Sequence, residues 1–168
     1  MTTILTNSSV YLGTNLYGKV DKFTTPDVEV NTVEMKQGYG TYKLPVGINP
    51  LTVSFDLTCL DKTVYSKISN PFNEVNLTVY GSLSTFNNET LTKEQQAKLI
   101  MRGSLGKKSL LGELKQQENS TIAIEMNISS FKLIVAGETW EHLDIPNVIW
   151  TVNGKDMLAN LKKNLGLS

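Results

Sequence analysis

The stretch LTVSFDLTCL, Leu51 to Leu60, alternates with a period of two: Leu51, Val53, Phe55, Leu57 and Cys59 fall on one face, and Thr52, Ser54, Asp56 and Thr58 on the other. Successive side chains of a strand point to opposite sides, so this pattern demands a sheet with one face on an apolar core and one face turned away from it. Other segments carry the same signature. DVEVNTVEMK alternates, but its apolar parity changes from Val28 and Val30 to Val33 and Met35, which predicts a bulge or bend near Asn31 and Thr32. VNLTVYGSLS, TIAIEMNISSFKLIV, TWEHLDI and NVIWTV read as further strands, with a turn at Ala136 and Gly137.

Two segments break the strand rhythm. Leu60, Val64 and Ile68 are spaced four apart and predict a short helix near 61–69, stopped by Pro71. Met157, Leu158, Leu161 and Leu165 share one side of a helix expected near 154–165, with Asn153 as its N-cap and Gly166 as its left-handed C-cap. Such a helix is too short to be stable alone, so these four side chains are expected to pack on apolar sheet surface. The fold class is therefore mainly β: an antiparallel sandwich or barrel-like single domain over 1–168 with two short helices and a long hairpin excursion. That excursion is expected to be exposed at about 37–50, where three glycines and two prolines are too many for a plain paired hairpin. Residues 87–117 read two ways: Thr92 with Gln95 resembles a capping box and Leu110, Leu111 and Leu114 have helical spacing, yet KLIMRG suits a strand.

The chemistry of enzymes is missing from the pattern. Lys plus Arg equals Asp plus Glu at 16 each, so no global field selects nucleic acid or anionic lipid. A single cysteine and a single histidine exclude an intramolecular disulfide and the usual Cys/His metal clusters. GSLGKKS, Gly103 to Ser109, lacks the spacing of a phosphate-binding loop. His142 has Glu141 beside it in sequence, but alternation puts the two on opposite faces. Cys59 reads as a small buried hydrophobe, and Trp140 and Trp150 as core or interface aromatics. Catalytic, cofactor-binding and metal-ligating residues are therefore expected to be none, and no leader or membrane insertion is expected.

The order of motifs goes further than composition. YGKVDKFTTPDVEV, the Gly/Pro-rich excursion, SFDLTCLD, MRG at 101–103, G-E-x-W-x-x-x-D at 137–144 and V-N-G-K-D-x-L-A-x-L at 152–161 together resemble the major tail tube proteins of contractile-tailed bacteriophages and related phage-tail bacteriocins. The likeness runs from about residue 10 to the end and is weakest from Ser82 to Ala97. It implies a structural subunit that forms hexameric rings, stacked as a tube inside a contractile sheath and lending strands to a barrel around a channel. Implied partners are the subunit itself, the sheath, the tape-measure protein, the baseplate and the tail terminator, with DNA only as passing cargo. The implied location is the virion tail, or a tail-like particle, assembled in the bacterial cytoplasm.

Within that picture, Thr52, Ser54, Asp56 and Thr58 are expected to face the lumen. If the 27–31 strand pairs with 51–60, Glu29 and Asn31 join them in a lining without Lys or Arg. Tyr39, Tyr42, Leu44, Val46 and Ile48 are expected to dock on a neighbouring subunit or ring. The competing readings are the inner tube of a type VI secretion system and, from another class, a β-sandwich module that binds carbohydrate or peptide through the 37–50 loop and the tryptophans.

Overall fold

The computed structural model describes residues 1–168 except 14, 15, 17, 18, 59, 60, 113, 115, 117–120 and 168. Of the described residues 63% are strand and 8% helix, and among them the antiparallel strands do not close into a barrel. The expected place of Cys59 lies outside the described residues.

In chain order the strands are β1 (Thr2–Tyr11), β2 (Val20–Thr24), β3 (Val30–Gln37), β4 (Gly40–Ile48) and β5 (Leu51–Leu57). Helix α1 (Lys62–Ile68) follows. Then come β6 (Val75–Asn87), β7 (Thr90–Lys108), β8 (Ile122–Val135), β9 (Glu138–Asp144), β10 (Ile149–Val152), β11 (Lys155–Asp156) and α2 (Ala159–Asn164). Nine strands form one sheet in the order β1-β6-β7-β8-β9-β10-β11, with β5 attached to β8 and β2 to β5. β8 works twice. Its first half, Ile122 to Ile128, pairs with β5, and its second half, Ser130 to Val135, pairs with β9. Ser129 is skipped at a register shift between the halves. The sheet thus folds over, and Leu51, Val53, Phe55 and Leu57 share one core with Leu77, Met101, Met126, Phe131 and Leu143. The alternation of β5 is reproduced residue by residue, its apolar members buried and its polar ones facing out.

α1 forms where its spacing predicts, with Val64 and Ile68 buried and Asp61 as N-cap. The Asp61 side chain accepts a hydrogen bond from the Thr63 N–H at 2.9 Å and pairs with Lys19 at 3.2 Å. On its other flank, Lys108 Nζ donates to Ser69 Oγ at 2.6 Å and lies 4.2 Å from the centre of the Tyr65 ring. The helix is therefore tied at both ends to the strands it covers.

One open reading is settled and two expectations are corrected. Residues 90–108 are strand throughout, joined to β6 by a turn with Asn88 at φ 55. A composition that tolerates a helix is overridden by neighbours on both sides, β6 and β8. The segment from Val30 to Ile48 is the exposed hairpin excursion expected, but it is paired along its length with one register shift, although its glycines and prolines argue against a plain paired hairpin. Gly38 takes φ 54 at its turn, and Pro45 is tolerated because β4 is an edge strand beside an irregularity, the register shift between Asn31 and Thr32.

The second correction concerns the C-terminal helix. α2 covers only Ala159–Asn164, its N-cap position is Leu158, and none of its residues is buried. Asn153 (φ 47) and Gly154 (φ 77) instead make the tight turn between β10 and β11, as Asn-Gly does in hairpins. The C-terminal expectation for Gly166 is met. It has φ 70, its N–H reaches the Lys163 carbonyl, and the Leu167 N–H reaches that of Lys162, a Schellman closure.

Candidate functional site

The strands β2, β5, the first half of β8 and the last part of β7 form a four-stranded layer. Its inner face is core. Its outer face carries Thr52, Ser54 and Asp56 of β5, with Thr58 exposed just beyond. The pairing expected between 27–31 and 51–60 is absent, because β3 closes on the nearby β4 and leaves β5 to β2. Glu29 and Asn31 consequently lie on the hairpin stem, where the Asn49 N–H donates to the Glu29 carbonyl at 2.8 Å and Asn31 faces Gly47.

The lateral neighbours of β5 on that outer face change its charge. Lys22 stands opposite Asp56, Ala123 flanks it on β8, Ser54 faces Glu125, and Glu125 faces Lys107. Two carboxylates and two ammonium groups therefore share a hydroxyl-rich surface that is neutral in sum. Sequence reasoning missed both lysines. Lys22 was hidden by the wrong partner for β5, and Lys107 by the ambiguity of 87–117.

Among the described residues both edges of this layer are open. There β2 pairs with β5 alone. On the far side, the last β6–β7 pair is Val75 with Gly103, so among the described residues Ser104 to Lys108 has β8 on one side and no strand on the other. Unpaired edges are templates for another chain.

The hairpin is amphipathic. Val33 faces Leu44 and Met35 faces Tyr42, which puts these four on one face, while Glu34 with Lys43 and Lys36 with Thr41 occupy the other. Val33, Met35, Tyr39, Tyr42, Leu44 and Val46 are all exposed, and Ile48, at the stem, is half-buried against the core. Met157, Leu161 and Leu165 are also exposed, and Leu158 is half-buried. The packing of α2 on sheet surface is thus absent within the single chain.

Elsewhere the surface offers little chemistry. Among the described residues no group of three or more His, Cys, Asp or Glu residues is placed to hold a metal, and no helix is long and apolar enough to cross a membrane. Gly103 to Lys108 is extended strand, not a phosphate-cradling loop. His142 is half-buried between Lys132 and Thr151 on adjacent strands. Trp150 packs against the core and donates from Nε1 to Glu141 Oε1 at 3.0 Å, while Trp140 is exposed.

Among the described residues the chain is an antiparallel sandwich with open edges and an exposed amphipathic hairpin, surfaces of the kind a structural subunit offers to further copies. The chain belongs to the phage tail tube protein FII family, whose model matches residues 2–166. It is a structural tail tube subunit of the virion tail. The chain has no match among curated proteins.

Proposed function

We propose that this subunit assembles into hexameric rings that stack as the inner tube of a contractile tail and form the channel for DNA or effector passage. The observation that carries the reading is the four-stranded layer open at both edges. β2 and β7 run in opposite directions across it, so the Ser104–Lys108 edge of one copy meets the β2 edge of the next as an antiparallel pair. Repetition around a ring removes both edges and turns the polar outer face into a continuous wall. The hairpin extends to a neighbouring subunit or ring. The sheath lies outside the tube, the tape-measure protein within it, and the baseplate and tail terminator at its ends. Assembly takes place in the bacterial host cytoplasm.

Negative-stain microscopy of the purified protein tests this. Rings of uniform diameter and filaments built from them are expected at high concentration. A discrete monomer under all conditions would instead suit a carbohydrate- or peptide-binding module.

A further inference from the structure

Leu110, Leu111 and Leu114 are 69%, 57% and 72% exposed, three large apolar side chains held out from one short segment. The backbone that carries the first two is fixed. The Ser109 N–H donates to the Ala123 carbonyl at 2.9 Å, and the Ala123 N–H donates to Ser109 Oγ at 3.0 Å. Gly112, at φ 69, lies so close to the Thr121 carbonyl that a Cβ there would collide with it. The ridge is therefore in place before any partner arrives, which lowers the entropic cost of docking on it.

The place of the ridge in the fold decides what can meet it. At one end of the four-stranded layer Leu57 pairs with Val20 and Ile122, and Lys108 pairs with Ile124. The ridge follows directly from Lys108. At the other end Leu51 pairs with Ile128, and the hairpin leaves the layer there: β3 continues the chain from β2, and β4 leads into β5. The hydrogen bond from the Asn49 N–H to the Glu29 carbonyl carries the pairing across that junction. The leucine ridge and the apolar hairpin face of Val33, Met35, Tyr42 and Leu44 thus issue from opposite ends of the same strands. With eight residues in β3, the hairpin spans about 26 Å beyond its stem.

We infer that the ridge of Leu110, Leu111 and Leu114 in one subunit receives the apolar hairpin face of a subunit in the adjacent ring. The inference rests on the ring reading above and names the surface on which rings stack. Strands that pair side by side around a ring point their ends along the tube, apart from the tilt of a barrel. Rings stacked in one direction by rotation and translation bring one end of each subunit against the opposite end of the next, a heterologous contact that repeats along the tube. The hairpin end then meets the ridge end. Each supplies the exposed apolar surface that the other removes from water.

Two variants test it. Leu110→Ser with Leu111→Ser changes exposed side chains only, so the monomer keeps its melting temperature. Its rings keep the wild-type diameter, while the protein concentration at which they join into filaments rises about tenfold or more. In a Cys59→Ser background, Tyr42→Cys with Leu111→Cys and a short bismaleimide gives a ladder of subunits joined from ring to ring, and each single cysteine variant gives none. Double-serine filaments at the wild-type concentration overturn the inference and leave the ring reading standing. So does a double-serine protein that folds but loses its rings, because the ridge then acts within the ring. Tubes whose paired cysteines stay unjoined overturn the seat assigned to the hairpin, and joining through Tyr42→Cys alone shows rings stacked hairpin to hairpin and overturns it too. A wild-type protein that never forms rings overturns both readings.

Discussion

Arg102 on β7 and Asp144 at the end of β9 meet across Ser130 of β8, with Nη2 3.2 Å from Oδ2. The small Ser130 lets the guanidinium span a whole strand, and Arg102 Nε also lies 3.1 Å from Glu74 Oε1. Asp144 in turn accepts from the Asn147 backbone and side chain and so holds the turn into β10. Two of the short motifs in the chain, MRG and G-E-x-W-x-x-x-D, thus converge on one ion pair. The neighbouring Gly103 is needed for a separate reason: a Cβ there would collide with the Asn127 carbonyl where β7 passes over β8.

Arg102→Ala should destabilise the subunit by about 1–3 kcal/mol, because it leaves the Asp144 side chain, 10% exposed, without its counter-charge. Urea unfolding measures this. Unchanged stability would mean that solvent screens the pair, since Arg102 itself is partly exposed.

The hairpin should be dispensable for folding and needed for assembly. Its apolar face of Val33, Met35, Tyr42 and Leu44 covers nothing in its own chain, and a two-stranded hairpin alone is marginal in water. Replacing Thr32 to Val46 by a short glycine-serine turn, with the Asn49–Glu29 closure kept, should leave a cooperative melt within about 1 kcal/mol of wild type. No tubes should be seen by microscopy, and normal tubes would refute a docking role.

Leu161→Asp distinguishes two roles for α2. A helix packed on its own sheet would lose several kcal/mol to a buried charge, but Leu161 is 45% exposed. The expected change in monomer stability is therefore within about 0.5 kcal/mol, with the defect appearing in tube yield. A large drop in melting temperature would place the helix on its own subunit after all.

What the sequence made legible follows from how local each signal is. The alternation of Leu51 to Leu57 is set by a period of two and was readable without any partner. The shift at Asn31 and Thr32 was readable from a change of parity. The partner of β5 was not, because several alternating segments satisfy an apolar face equally well and only the three-dimensional closure of β3 on β4 excludes one of them. At the C-terminus, the spacing of Met157, Leu161 and Leu165 outweighed the Asn153–Gly154 turn signal in front of it. The surfaces of the proposed assembly site were legible by composition, but their charge was not, because Lys22 and Lys107 reach that face only through strand pairing.

The Asp61 cap should give the monomer a measurable acid dependence. Its hydrogen bond from the Thr63 N–H, and then that from Lys19, hold its carboxyl below the ordinary value of 3.8. A depressed carboxylate contributes stability that is full above the unfolded value and is lost as pH falls through the lower folded one. Asp61→Ala should therefore melt at a lower temperature than wild type at pH 7, and the gap should close as the pH drops below 3.8. A gap that persists undiminished in acid would assign the effect to packing of α1 and not to the charged cap.

The charge of the proposed channel wall gives the last prediction. Lys22, Asp56, Glu125 and Lys107 sum to zero on the outer face of the four-stranded layer, among the hydroxyls of Thr52, Ser54 and Thr58. Ring symmetry multiplies whatever stands there, so one side chain per subunit becomes a closed belt that recurs in every stacked ring. Duplex DNA carries one charge about every 1.7 Å along its axis, and its affinity for cationic surfaces grows with each phosphate neutralised through counterion release. A balanced wall offers no such gain, because each lysine already has a carboxylate on the same face. Asp56→Lys removes one carboxylate and adds one ammonium, a change of two charges per subunit at a half-exposed position outside the core. Tubes of that variant should form normally, retain DNA fragments at low salt where wild-type tubes do not, and release them as salt rises. A reconstruction that puts Val53 and Phe55 on the channel side would reverse the two faces and remove the basis of this expectation.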